Sequence, residues 1–149
     1  MNLSISLLLL LLAVTKSGAA VPRRPCWDDW KALKRHIEQA SASEITMENI
    51  IKICPGSVFE LEGDNEQGDE DHWMYLRNVQ NLTLQCGDHG RVQDGCVLNG
   101  GLHHIWMEQV RDISIRGITF QTARRGSVWH VDVQHVDYQD CVWRNNQHS

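Results

Sequence analysis

One short pattern of apolar and polar positions recurs three times along the chain: Val79-Gln-Asn-Leu82-Thr-Leu84, Val110-Arg-Asp-Ile113-Ser-Ile115 and Val133-Gln-His-Val136-Asp-Tyr138. Each copy sets an apolar residue before a polar pair, followed by two apolar residues alternating with a polar one. Counted from Val110 to Val133, the last two copies lie 23 residues apart. The match continues at that offset, with Ile118 over Cys141 and Phe120 over Trp143. A unit this short cannot bury its own apolar face. It is stable only when stacked on copies of itself, with like side chains in columns through the core. The pattern therefore predicts the coils of a parallel β-helix.

From Val79 to Val110 the interval is 31 residues, too long for the same coil. The surplus falls in Cys86-Gly-Asp-His-Gly-Arg-Val-Gln-Asp-Gly-Cys96, which reads as a loop bulging from the solenoid and pinned at its base by cysteines. A weaker echo, Gly56-Ser-Val-Phe59 and Gly126-Ser-Val-Trp129, is spaced by close to three coils and supports the repeat.

Ahead of the repeats, Trp27 to Ile37 carries apolar residues every three to four positions, with Asp28 and Asp29 in the first turn and Lys31, Lys34 and Arg35 after them. That pattern predicts an amphipathic helix able to cap the open end of the stack. Strand character begins at Ile50-Ile-Lys-Ile53 and resumes at Val58-Phe-Glu-Leu61. At the other end the sequence given stops at Trp143-Arg-Asn-Asn-Gln-His-Ser149, with no element recognisable as a cap. Self-association through this last coil is the expectation, because exposed strand edges template pairing.

Composition narrows the setting. Residues 1–20, with the unbroken Leu7–Leu12 run and Gly18-Ala19-Ala20, read as a signal peptide. The apolar run is too short to span a bilayer. Residues 21–49 then hold the capping helix and a linker, and 50–149 the β-helix. The net charge of −5, without a basic cluster, argues against nucleic acid and anionic membranes as partners. Five cysteines suit a secreted, extracellular protein. The expected bridges are Cys26 with Cys54 and Cys86 with Cys96, which leaves Cys141 over. Asn81-Leu82-Thr83 is an N-glycosylation sequon at a turn position.

The order of an N-terminal helix, Ile53-Cys-Pro-Gly56, Leu84-Gln-Cys-Gly87, Cys96-Val-Leu-Asn-Gly-Gly101, Arg116-Gly-Ile-Thr-Phe120 and Asp140-Cys-Val-Trp-Arg-Asn-Asn146 resembles secreted right-handed β-helix proteins of the pectate-lyase-like superfamily, in the form common in marine microalgae. The resemblance covers roughly Trp27 to Ser149. It implies an all-β, right-handed, single-stranded parallel β-helix. Full-length members of that superfamily have more coils than this chain. Some of them cleave acidic polysaccharides, and many have no known activity.

The catalytic motifs of those enzymes do not map onto the coils. The nearest set for calcium-dependent lyase chemistry is Asp112, Asp137 and Arg116, with the aspartates two residues out of register; outward turn residues are the stronger reading. The acidic run from Glu62 to Asp71 has a weak calcium site as its functional reading and a solvated, self-repelling loop as the stronger one. No His or Cys spacing matches a zinc motif, so His103, His104, His130 and His135 are read as ordinary surface or turn residues.

Tyr75, Trp106 and Trp129 follow the repeat offsets and should stack on successive coils. Facing outward, they would form a flat strip able to grip sugar rings. Their aliphatic neighbours in Met74-Tyr-Leu76 and Ile105-Trp-Met107 argue for that, whereas the alternation in Trp129-His-Val131-Asp-Val133 argues that the aromatic points in. We take the column as core. The expected protein is a β-helix of three to four coils, a binding or structural module of the extracellular matrix or cell surface with extracellular polysaccharide as its candidate partner. A polysaccharide lyase or glycoside hydrolase, or a fragment of one, is the alternative.

Overall fold

The computed structural model describes residues 26–41, 50–61 and 74–147. A helix, α1 (Trp30–Ser41), precedes eleven described strands: β1 (Ile50–Ile53), β2 (Val58–Leu61), β3 (Met74–Arg77), β4 (Gln80–Cys86), β5 (Cys96–Gly100), β6 (Ile105–Glu108), β7 (Arg111–Arg116), β8 (Ile118–Gln121), β9 (Val128–Val131), β10 (Gln134–Gln139) and β11 (Val142–Arg144). They form three sheets, β1-β4-β7-β10, β2-β5-β8-β11 and β3-β6-β9. Every pairing is parallel, and each strand pairs with the one three places on. The chain thus visits the three sheets in turn and returns one layer further on, which is compatible with a parallel β-helix. The signal peptide, the acidic run 62–71 and the last two residues lie outside the described residues.

Register follows the repeated phrase. Leu82 pairs with Ile113 and Ile113 with Val136; Leu84 pairs with Ile115 and Ile115 with Tyr138. Phe120 pairs with Trp143 as expected. The polar pair also has a backbone reason. Its second residue, Asn81, Asp112 or His135, sits at φ 55°, 54° or 52°, and the residue before each phrase, Asn78, Gln109 or Asp132, is left-handed too. Asn, Asp and His tolerate that region best among residues with a side chain. The repeat therefore encodes a corner as well as a core face.

Inward columns run Ile51–Leu84–Ile115–Tyr138, Phe59–Leu98–Phe120–Trp143 and Leu76–Met107–His130. Their middle members are fully buried, each stabilising the stack by about 1.5–3 kcal/mol. In the last layer these three columns end in His130, Tyr138 and Trp143, rings with a polar atom. Tyr138 stacks on His130 and shares a 2.7 Å hydrogen bond with its Nε2, while Trp143 stands edge-on to Tyr138. These rings lie over the aliphatic core where the strand edges open, and Trp143 is 43% exposed.

The opposite end is covered by chain. Trp27 bridges Ile53 in parallel, donating its N–H to the Lys52 carbonyl and accepting the Cys54 N–H. Glu38 of α1 accepts the Tyr75 N–H at 3.0 Å on the edge strand β3, and Trp30, Leu33 and Ile37 are buried beneath. The helix begins three residues later than the apolar spacing predicts. Asp29 lies just before it and accepts the Ala32 N–H at 3.0 Å, so it caps the helix rather than filling the first turn.

Both expected bridges are present, Cys26–Cys54 and Cys86–Cys96, and Cys141 is the free thiol among the described cysteines. The loop between Cys86 and Cys96 does not bulge away. Its Gly90 lies against Arg116 and Gln85, and a Cβ added to Gly117 would come within 2.5–2.7 Å of Gly90 and Arg91. Gln85 holds the Gly87 and Asp88 carbonyls, and Asp140 accepts the Val92 N–H. The weak echo also dissolves: Phe59 faces inward on β2, whereas Trp129 faces outward on β9, in a different sheet.

Candidate functional site

The sheet β3-β6-β9 carries the aromatic column. Tyr75 pairs with Trp106 and Trp106 with Trp129, as the offsets predict. Alternation in β3 and β6 buries Met74, Leu76, Ile105 and Met107 almost completely, so Tyr75 and Trp106 project from the outer face. Trp129 follows them and is 45% exposed. The column is therefore not core. Parity at β9 misleads because His130, the residue after Trp129, occupies an inward position opposite Met107 in spite of its polarity.

The rings do not lie flat in a row. Trp106 and Trp129 are stacked with centroids 5.5 Å apart and planes 19° apart. Nearly parallel indoles this close overlap face on face with an offset. His103, buried in the turn before β6, stands edge-on to both, 5.9 Å from Trp106 and 5.6 Å from Trp129. Its Nδ1 lies 2.9 Å from the Gly126 carbonyl, which fixes Nδ1 as the protonated nitrogen and sets the ring plane.

Beside the column runs a polar row. Arg77 pairs with Glu108 in register, and a guanidinium nitrogen lies 3.5 Å from the carboxylate. The Tyr75 hydroxyl also donates to Glu108. A carboxylate has about four acceptor positions, so Glu108 keeps capacity for a ligand hydroxyl. No sequence signal singled out Glu108 or His103 as site residues; the register places the first, and only the turn preceding β6 places the second.

The other candidates do not converge. Asp112 sits at a corner, 3.3 Å from His135. Asp137 pairs with Ser114 and accepts from Gln139, while Arg116 donates to Ser114. Of the four histidines read as surface or turn residues, His103 and His104 lie in the turn before β6 and are buried there. His104 stacks on Phe120 with its Nε2 3.0 Å from the Gly100 carbonyl. Burial is the main cause that pulls its imidazole down to about 4. Burial likewise lowers His130 and raises the Tyr138 phenol and the Cys141 thiol. Among the described residues no cluster of three or more His, Cys, Asp or Glu is placed to hold a metal, and no helix is long and apolar enough to cross a membrane. Asn81 is exposed at its left-handed corner.

The chain matches no protein-family model, no curated protein and no solved structure.

Proposed function

We propose that this protein is a secreted, right-handed, single-stranded parallel β-helix of the pectate-lyase-like kind, acting as an extracellular carbohydrate-binding module. The observation that carries this reading is the outward column Tyr75, Trp106 and Trp129 on a sheet whose inner face is otherwise core. Large aromatic rings held at a surface cost solvation without adding to the core, and their apolar faces match the C–H faces of pyranose rings. The Glu108 carboxylate beside them supplies an acceptor for sugar hydroxyls. Two disulfides and an exposed sequon at Asn81 support an oxidising, secretory route. Binding rather than cleavage is favoured, because Asp137 stands opposite Ser114 and Asp112 is engaged with His135, so the two aspartates do not face each other across the strands.

The test is retention on gels cast with neutral and acidic polysaccharides. Retardation on at least one gel is expected, lost in Trp106→Ala/Trp129→Ala while the far-ultraviolet spectrum persists. Equal mobility of both proteins on every gel would remove the reading.

A further inference from the structure

Strand β5 closes on the pair Asn99-Gly100. An asparagine followed by glycine can lose its own side-chain amide, because the missing Cβ lets the next backbone nitrogen swing onto the asparagine Cγ. That nitrogen bonds to Cγ, and its proton leaves with the side-chain nitrogen as ammonia. A five-membered succinimide remains. Water then opens the ring at one carbonyl or the other, giving aspartate or isoaspartate.

In the stacked coils neither reacting group can move. Asn99 pairs in register with Glu60 in the layer before and Gln121 in the layer after. Its Nδ2 donates to Glu60 Oε2 at 2.6 Å, and its Oδ1 accepts from Gln121 Nε2 at 3.1 Å and from Thr122 Oγ1 at 2.6 Å. The nucleophile is held as well, since the Gly100 N–H donates to Thr122 Oγ1 at 2.9 Å and so points across to the next layer. Thr122 is itself a β-branched residue at φ 59°, a conformation that persists only where the surroundings impose it. Its hydroxyl also lies 2.8 Å from the Gln121 carbonyl, and its N–H donates to the Arg144 carbonyl. The product would not fit this setting. A neutral amide that donates to Glu60 becomes a carboxylate with no donor, set directly opposite another carboxylate, and like charges so placed are destabilising.

We infer that Asn99-Gly100 is a latent deamidation site, held closed by Glu60, Gln121 and Thr122, at which opening of the β5–β8 contact leads to a one-way conversion that sets a carboxylate against Glu60. The co-reactant is water alone. The inference is independent of the carbohydrate-binding reading.

The experiment ages the disulfide-intact protein in warm, mildly alkaline buffer and follows conversion at position 99 by peptide mass mapping, with an isoaspartyl methyltransferase marking the rearranged product. The same protein in strong urea gives the open-chain rate. Folded wild type is expected to convert at least about a hundredfold more slowly, because a strand paired on both sides opens rarely. Thr122→Val keeps the branch and loses the hydroxyl, so the folded variant should convert about tenfold faster than wild type, whereas Thr122→Ser should match it. Asn99→Asp should lower the urea midpoint, and adding Glu60→Gln should restore it. Equal folded and unfolded rates overturn the gate, as does a wild-type rate in Thr122→Val. If Thr122→Val does not fold, wild type in urea below its transition takes its place; a rate that climbs with urea supports the gate, and a flat one overturns it. No conversion in the unfolded chain overturns the site, and an undiminished midpoint in Asn99→Asp overturns the one-way consequence.

Discussion

Ile113 lies midway in a column, between Leu82 and Val136, and is 1% exposed. Replacing it by Asp loses the burial of an aliphatic side chain, about 2 kcal/mol. It also leaves a carboxyl among aliphatic neighbours. A fully buried carboxyl has its pKa raised by roughly three to five units, which at neutral pH costs roughly 4–7 kcal/mol. Together these reach the order of 5–15 kcal/mol that holds a domain folded, so Ile113→Asp should be largely unfolded at pH 7. The same substitution one layer on, Val136→Asp, should cost about 1–2 kcal/mol, because Val136 is half-exposed and the carboxylate can turn to water. Urea titration followed by far-ultraviolet circular dichroism measures both. The Ile113 variant should regain stability toward pH 4, where its carboxyl is neutral, although loss of the native His104 contribution offsets part of the gain. Equal midpoints for the two variants would refute the columns, and so would wild-type stability in Ile113→Asp.

His104 titrates near 4 in the folded chain, below its ordinary 6.5, so the unfolded chain takes up the proton first as pH falls. Its contribution is complete above pH 6.5 and is lost between 6.5 and about 4, by up to about 3 kcal/mol; chemical denaturation across that range should show the slope, and His104→Gln should flatten it. Gly117→Ala should destabilise by about 2 kcal/mol or more and raise proteolysis within 87–95, since the added Cβ meets the backbone of Gly90 and Arg91 at a positive φ; an unchanged melting curve would mean the loop is not packed there.

The sequence by itself determined the repeat, the register and the columns. A period of two between core and surface makes a one-residue slip ruinous, so Leu82, Ile113 and Val136 could align only one way. It also pointed to the helix ahead of the strands, while missing that Asp29 caps α1 from just outside it, and it suggested a cysteine pairing that only the fold, by bringing Cys26 to Cys54 and Cys86 to Cys96, made definite. Tertiary structure decided which side Trp129 faces, because alternation assumes that polar residues point outward and His130 breaks that assumption at the end of the stack. It also decided that the Cys86–Cys96 loop folds back onto the coils, where Gly90 and Gly117 allow an approach no side chain would permit. His103 became legible only in three dimensions: its partners Gly126 and Trp129 belong to the next layer, and the chain between them carries no local sign of that contact.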